Sequence, residues 1–504
     1  MRTELPDCLK SASKDGKQKP ALDVFDLAVR LELDGVTDAV AWNEYGFRTT
    51  LSMAAAHHDG GTVEHRPAAP PKRFNGIFEY LNGISFAVPV LLCALSTLLY
   101  QLSLWGGDLS PDAAAAVAIG TVSSFIATGG IVQASARRTL FLIHTGDWDS
   151  AADACRKWSM LGVALIGGWA LAGWAFNSYY GLLPFPLDWV AMAFQCALGL
   201  LWLACGVLYV LEKNLVVGGA VVAGIATVAI CQRLLGMPLL ASQLVGIVVT
   251  GSLCAAIAAA ILRHKSSRVS KPDGEFLSSR IIHILTPFFI YGCLYYLFLF
   301  ADRWVAWTAR TAASTLPFQF RGDYETGLDI AMIAFVFQVG WVHTSMLAFY
   351  DRIQRGQSRH TVHDVALFNQ EIFYFYLRRV AAFLPFGALS GYLTFWAADR
   401  LHLLATASMR EVTAVALIGY PLLVVGLWNT GMFFALSRPR FVLVSTGIAL
   451  VVNLAAGYLS SRVGGYQYAV YGFAAGSAVF ACLTTYLFLK HTRAIDYYHY
   501  ASSA

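Results

Sequence analysis

The chain has 504 residues, of which 57% are hydrophobic and only 13% are charged, and its mean hydropathy is +0.56. A soluble domain carries about a quarter charged residues, so this composition excludes a water-soluble globule and predicts a protein that lipid covers. The formal net charge of +5 lies in loops between apolar runs rather than in one basic domain, which excludes nucleic acid as a partner.

Residues 1–75 precede the first long apolar run and predict a cytoplasmic N-terminal extension. Apolar residues from position 21 onward recur every three or four positions, which predicts a helical segment, and the Gly, Pro and His content of 57–72 predicts a linker. Two roles stay open for this extension: a plain helical appendage, or a docking element for a cytoplasmic partner. The apolar pattern consists of Leu22, Phe25, Val29, Leu33, Val36 and Val40.

About twelve apolar runs follow, each long enough to cross the ~30 Å hydrocarbon core as a helix of about twenty residues. The runs are continuously apolar and rich in Gly and Ala, which favours helices over the alternating strands of a membrane barrel. The predicted spans cover roughly residues 84–105, 113–134, 159–177, 188–210, 215–234, 240–262, 281–305, 327–350, 380–398, 412–435, 441–459 and 469–489.

Lys and Arg gather in every second loop, for example at Arg137, Arg138, Lys213, Arg438 and Arg440, whereas the alternate loops are poorer in cations. The positive-inside rule places the basic loops in the cytoplasm. Because the number of predicted spans is even, both the N and C termini are predicted to be cytoplasmic.

A hydrophilic segment at 263–280 divides the spans into six and six. We predict two six-helix bundles, residues 76–262 and 281–489, joined by this cytoplasmic linker and followed by a cytoplasmic tail at 490–504. The predicted fold class is therefore all-α, a polytopic membrane protein with about 12 transmembrane helices. Two halves with a substrate path between them are typical of transporters.

The seventh span carries aromatic residues on one helical face. Tyr291, Tyr295, Phe298 and Asp302 follow each other at steps of three and four, and Arg303 comes next. Aromatic planes suit the C–H faces of sugar rings and a carboxylate accepts hydrogen bonds from hydroxyls, so these residues are candidates for a substrate path. The competing interpretation is a lipid-facing aromatic stripe that ends in charges at the membrane surface.

Polar side chains within other spans are further candidates. Gln338 and Trp341 share a face of small and polar residues in the eighth span, and Asn453 lies in the eleventh. A buried amide needs a hydrogen-bonding partner, so these residues should face other helices or the substrate path. Helix packing alone would also explain them.

The sequence contains no nucleotide-binding loop, no hydrolase or metalloprotease motif, and no metal-ligand spacing among its nine cysteines. No catalytic residue, metal or cofactor is therefore predicted. Transport driven directly by ATP would lack its nucleotide site.

Several stretches resemble a known family. LYYLFLFADRWVAW at 294–307 and TGLDIAMIAFVFQVGWVHTSMLAFYDRIQRG at 326–356 are similar to the PelG family, the inner-membrane exporter component of the Pel exopolysaccharide system. The last three spans, at 427–477, resemble it too. The family is related to the multidrug, oligosaccharidyl-lipid and polysaccharide flippase superfamily, and this resemblance implies two six-helix bundles around a central cavity with alternating access.

The resemblance implies a bacterial inner-membrane protein that exports an exopolysaccharide or its lipid-linked precursor. It also implies a cytoplasmic glycosyltransferase and small membrane proteins as partners. The alternatives are a membrane-embedded glycosyl- or acyltransferase, against which the short outer loops argue, and a non-transporting scaffold of a polysaccharide synthase complex. The energy source, whether proton, sodium or polymerisation, stays open because the ionisable candidates lie near the edges of their spans.

Overall fold

The chain forms two compact units, Met1–Asn75 and Gly76–Ala504. The computed structural model describes residues 24–57, with gaps at 34–35, 37–39 and 48, and residues 76–266, 278–309, 317–359 and 365–495. Most of the predicted linker and tail, at 267–277 and 496–504, lies outside these residues. The boundaries of the predicted bundles therefore stay predictions.

The first unit contains α1 (Val24–Leu33) and α2 (Thr50–His57), which pack together, with a π-helical turn at Ala41–Tyr45 between them. Helix α1 lies within the predicted helical segment, but Phe25 and Val29 of its apolar pattern are exposed. The helix presents another set of apolar side chains to α2. The buried core consists of Leu27, Ala28, Leu31, Val36, Ala41, Met53 and Ala54.

The second unit is helical and membrane-spanning, as predicted. Its described residues contain eleven helices that are long and apolar enough to cross a membrane, and twelve spans if one bent helix pair counts as a single span. The helices are α3 (Gly76–Ser85), α4 (Val88–Tyr100), α5 (Pro111–His144), α6 (Trp148–Tyr180), α7 (Leu187–Val210), α8 (Asn214–Arg233), α9 (Leu239–Lys265), α10 (Ser279–Trp307), α11 (Gly322–Arg359), α12 (Val365–Arg400), α13 (Ala407–Ala435), α14 (Pro439–Gly464) and α15 (Ala469–His491).

Local sequence signals set the ends of several of these helices. The Ser110 side chain accepts a hydrogen bond from the amide of Ala113 at the start of α5, and Pro111 occupies the first turn, where its missing N–H costs nothing. Helix α6 ends at Gly181, whose φ of 62° is left-handed and suits glycine.

The first span is broken, which corrects the continuous helix predicted at 84–105. Helices α3 and α4 meet at an angle of 60°. Pro89 lies in the first turn of α4 and cannot donate a backbone hydrogen bond to the preceding turn, which favours a break at this point. Helix α4 ends at Tyr100, followed by Gln101 in the left-handed region.

Helix packing repeats between the two halves of this unit. In the first half α5 packs on α7, α7 on α9, and α8 on α9. In the second half α11 packs on α13, α13 on α15, and α14 on α15. Each contact recurs six spans later, which is the repetition expected of the two predicted bundles.

Two seams join the bundles. Seam A is formed by α5 and α10, the second and seventh spans, and seam B by α3 and α4 against α11, the first and eighth spans. The second span corresponds to the eighth, and the seventh corresponds to the first. The pair of spans that forms seam A therefore corresponds to the pair that forms seam B. The two seams are therefore equivalent positions in the repeated architecture.

Candidate functional site

Glycine residues allow the backbones of α5 and α10 to come into contact at seam A. A Cβ atom on Gly292 would lie 2.2 Å from the carbonyl oxygen of Gly129, and one on Gly129 would lie 2.6 Å from the carbonyl oxygen of Gly292. Only glycine on both helices allows the backbones to come this close. Small residues are the usual means of close helix packing where lipid surrounds the protein.

A row of aromatic rings crosses seam A from the first half to the second. We name it the aromatic row: Trp105, Trp202, Phe125, Tyr296 and Phe300. Successive ring centroids lie 5.5 Å apart for Trp105 and Trp202, 4.4 Å for Trp202 and Phe125, and 5.1 Å for Phe125 and Tyr296. Phe125 is also 5.4 Å from Phe300. All five side chains are only partly buried, so each retains some accessible surface.

Two of the predicted site residues extend this row into the second bundle. The ring of Tyr295 meets Tyr296 edge-on at 5.1 Å and stacks with Tyr291 at 6.0 Å. Tyr291 in turn contacts Phe434 of α13, edge-on at 5.0 Å. Tyr291 and Tyr295 of the predicted stripe are thus joined to the aromatic row through Tyr296.

Phe298 and Asn453 lie inside the second bundle, away from the row. Phe298 is 1% exposed and packs between Phe473 and Phe480 of α15, with centroids 6.3 and 6.2 Å away. The Asn453 side-chain amide donates a hydrogen bond to the backbone carbonyl of Phe298 at 2.9 Å. These contacts favour a packing role for both residues.

Gln338 and Trp341 hold α11 against α12. The Gln338 amide donates to the Ser390 hydroxyl at 2.9 Å, and the Trp341 ring stacks on Phe386 at 5.4 Å. The guanidinium of Arg379 lies 5.8 Å above the same Trp341 ring. Their placement is between two helices of one bundle rather than at a seam.

Asp302 and Arg303 belong to a buried polar cluster that α10 shares with α11. The Tyr324 hydroxyl donates to Asp302 Oδ2 at 2.6 Å, and Arg303 Nε donates to Glu325 Oε2 at 2.9 Å. The second oxygen of Glu325 accepts a hydrogen bond from the indole of Trp307 at 2.9 Å. Asp302 Oδ1 is buried and makes no hydrogen bond.

Asp329, one turn after Glu325 on α11, adds a third carboxylate to this cluster. It interacts electrostatically with Glu325 and Arg303, and also with Cys93 on α4, so it lies toward seam B. Three carboxylates against one guanidinium give a formal charge of −2 in a largely buried place. Such an excess is costly unless the carboxylates bind protons or a cation. We name Asp302, Arg303, Glu325 and Asp329 the acidic cluster.

Seam B is held by polar contacts from α3. The Tyr80 hydroxyl donates to the carbonyl of Phe337 at 2.9 Å, and His343 Nε2 lies 3.5 Å from the carboxylate of Glu79. Within the described residues, no group of three or more His, Cys, Asp or Glu side chains could hold a metal ion.

Several of these residues were not predicted from the sequence. Phe125 and Trp202 lie in apolar runs where nothing marks them, and Tyr296 is on α10 next to the predicted Tyr295. Glu325 and Asp329 were assigned to an outer loop and the end of a span. Their spacing of four residues at the start of a helix was the one available signal.

The family is decided by a match over most of the chain. The family model of PelG, described as exopolysaccharide exporter (EPS-E), matches residues 80–500. The chain therefore belongs to the PelG family. No curated protein matches it. This PelG-family chain is accordingly a multi-pass membrane transporter, and its family implies a polysaccharide or lipid-linked substrate.

Solved structures with the same fold are multidrug transporters. The PelG-family chain is similar to an outward-facing MATE family transporter of the MOP superfamily, with 15% identity and a TM-score of 0.57, over 84% of this chain and 97% of that one. It is also similar to a variant of the Vibrio cholerae MATE transporter VcmN, with 14% identity and a TM-score of 0.60 over the same shares. An inward-facing MATE structure matches at 14% identity and 0.53, over 84% and 99%. At these identities the likeness concerns the fold.

Proposed function

We propose that this chain exports an exopolysaccharide or its lipid-linked precursor across the bacterial inner membrane, with the glycan passing along the aromatic row. The observation that carries the proposal is the aromatic row, in which the rings of one half contact those of the other across seam A. Aromatic planes contact sugar rings through their C–H faces, and they tolerate many linkages because they do not depend on one hydrogen-bond pattern.

Alternating access is the proposed mechanism, with a conduit coupled to a synthase as its variant. The two equivalent seams support it, because a movement that closes one seam can open the other. Both termini are proposed to be cytoplasmic. A cytoplasmic glycosyltransferase and small membrane proteins are the proposed partners, since polymer export needs a source of polymer on that side.

The acidic cluster supports coupling of export to protons. Its formal excess of two negative charges favours binding of a proton in one state and its release in another. Asp329→Asn removes one of these charges while keeping the side-chain volume. In proteoliposomes, we expect this variant to lose the dependence of glycan flux on an imposed proton gradient. Unchanged gradient dependence would leave the cluster a structural role only.

Alanine substitution on the row tests the path itself. Tyr296→Ala and Phe125→Ala should strongly reduce secreted polymer at unchanged protein level in the membrane, whereas Tyr296→Phe should retain export because it keeps the ring. Tyr392→Ala, on an exposed face of α12, is the matched control. Normal secretion from both alanine variants would refute the path. Glycan flux in proteoliposomes containing only this chain would separate a transporter from a scaffold or a transferase.

A further inference from the structure

A pocket of about 380 Å³ lies on the flank of seam A. We name it the seam pocket. Helices α5, α6 and α7 form three of its walls, and Trp304 and Phe318 close it from the second half. Its size falls within the roughly 300–1,000 Å³ of small-molecule sites. The lining includes Ser123, Trp169, Gly173, Trp174, Asn177 and Gln195.

The seam pocket adjoins the aromatic row but opens on another side of α5. Tyr296 and Phe300 of the row pack against the same apolar cluster as Trp304 and Phe318 of the pocket. On α5, Phe125 of the row and Ser123 of the pocket are two positions apart, and at about 100° per residue they project to nearly opposite sides of the helix. A molecule with two chemically different ends could use both places.

The polar groups of the pocket have partners within the protein, including the carboxylate of Asp188 at the start of α7, which accepts a hydrogen bond from the backbone amide of Trp189 at 2.7 Å. The Trp169 indole donates to the Ser123 hydroxyl at 2.7 Å, and the Gln195 amide donates to the carbonyl of Ile166 at 3.3 Å. Asn177 makes two hydrogen bonds with the backbone of Leu183, at 2.9 and 2.7 Å. A sugar placed here would bury hydroxyls against apolar walls and these engaged groups, which is costly. The chemistry suits a hydrocarbon chain.

The position of the pocket also favours a hydrocarbon chain as its ligand. Its wall α6 is the least buried of the described spans, with only 17% of its most apolar window inside the protein. Trp169 and Trp174 are about half exposed. The pocket therefore faces the lipid, in the half of the membrane away from the basic loops, which is the outer leaflet in the proposed orientation.

We propose that the seam pocket binds the hydrocarbon chain of a lipid-linked glycan, whose sugar part reaches the aromatic row when seam A opens. This inference rests on the proposed export function and makes it more specific, because it selects a lipid-linked cargo over a free polymer. The chain stays in lipid-facing surroundings throughout, while the glycan uses the path between the bundles. Ordinary bilayer phospholipid is the competing occupant.

The test fills the pocket without disturbing the packing around it. An added Cβ at Gly173 meets no atom within 4 Å, so Gly173→Leu should fold normally and place its side chain in the pocket. Gly168→Leu is the matched control, because Gly168 lies on the same helix, has equally open space and is not part of the pocket lining. Gel filtration of both full-length variants checks their folding.

Photoreactive isoprenyl-phosphate sugar and photoreactive phosphatidylglycerol serve as probes on the purified protein in nanodiscs. We expect the isoprenyl probe to label pocket peptides, with about tenfold weaker binding in Gly173→Leu, a free-energy loss of ~1.4 kcal/mol, and no change in Gly168→Leu. Labelling by phosphatidylglycerol alone, or isoprenyl labelling that Gly173→Leu does not reduce, would overturn the inference.

Polymer secretion by the same variants separates this inference from the proposed function. Loss of secretion in Gly173→Leu, with normal secretion in Gly168→Leu, supports a lipid-linked cargo. If Gly173→Leu abolishes isoprenyl labelling but still secretes polymer, the lipid-linked cargo is refuted and the exporter function stands. If Tyr296→Ala also secretes normally, the proposed path fails as well.

Discussion

Arg303 is the cation that balances part of the acidic cluster, and its ion pair with Glu325 is largely withdrawn from water. The two side chains are 9% and 17% exposed. The ion pair between Arg410 and Asp399, by contrast, has side chains that are 53% and 44% exposed. Water and salt screen the second pair much more than the first, so the two should differ greatly in their effect on stability.

Arg303→Met removes the buried cation and leaves three carboxylates without their counter-charge. We expect the purified protein to lose roughly 3–5 kcal/mol of unfolding free energy, seen as a large drop in its thermal transition. Arg410→Met, at the exposed pair, should change stability by about 0–1 kcal/mol. Adding Glu325→Gln to Arg303→Met should recover part of the loss. Equal transitions for the two single variants would contradict this account of the cluster.

Asp147 caps the start of α6, outside the spans. A hydrogen bond from the backbone amide of Ser150, 3.0 Å from its carboxylate, stabilises the charged form and lowers the pKa of Asp147. Because the folded-state pKa is lowered, the stabilisation is complete above the ordinary pKa of 3.8 and disappears as pH falls through the folded-state pKa.

Asp147→Ala should therefore cost stability near pH 7, typically about 1 kcal/mol for a lost N-cap and less at a site this exposed. The difference from the unaltered protein should shrink as pH falls below the ordinary carboxylate pKa. Thermal unfolding measured across pH checks this. Asp147→Asn is the control, since asparagine caps as well as aspartate but does not titrate. A pH-independent deficit in the alanine variant would speak against the charged cap.

Single residues also show how much of the candidate site could be predicted from the sequence. The steps of three and four predicted that Tyr291 and Tyr295 share a face, and the structure connects both to the aromatic row through Tyr296. Periodicity groups residues on one helix, but it does not say which neighbouring helix that face meets. Phe298 shares the predicted face and is nevertheless enclosed by α15.

At the scale of elements, seam A depends on two backbones in contact. Gly292→Ala places a methyl group 2.2 Å from the Gly129 carbonyl, so α5 and α10 must separate. We expect sharply reduced polymer secretion and a destabilisation of about 1–3 kcal/mol from overpacking. Gly219→Ala on α8, where nothing lies within 4 Å of an added Cβ, is the control and should leave export intact. Normal secretion by Gly292→Ala would show that seam A need not close this tightly.

Hydropathy predicts the positions of most membrane-spanning helices. The second to twelfth predicted spans each coincide with one helix, and the structure mainly lengthens them, as in α11, which begins at Gly322 and ends at Arg359. The broken first span was missed although Pro89 is visible in the sequence. Proline is tolerated in many membrane helices, and only the contacts of α3 with α11 show that the chain changes direction here.

At the scale of the whole molecule, an even number of spans requires both ends of the chain on the same side of the membrane. Fluorescent protein fused to the C terminus should therefore fluoresce, because it folds in the cytoplasm. Alkaline phosphatase inserted in the loop between α6 and α7, near Leu182, should be active, and inactive in the loop between α7 and α8, near Glu212. Activity in the reverse pattern would invert the proposed orientation and move the seam pocket to the cytoplasmic leaflet.

The sequence by itself determined the class of this protein, its number of spans and the division of basic and non-basic loops. Hydropathy and charge act residue by residue and largely add up, so they can be read without knowing which helices meet. Only the tertiary structure decided that Phe125 and Trp202 join Tyr296 across seam A, and that Glu325 and Asp329 join Asp302 and Arg303. These residues are far apart in the chain, and their distances depend on how whole helices pack.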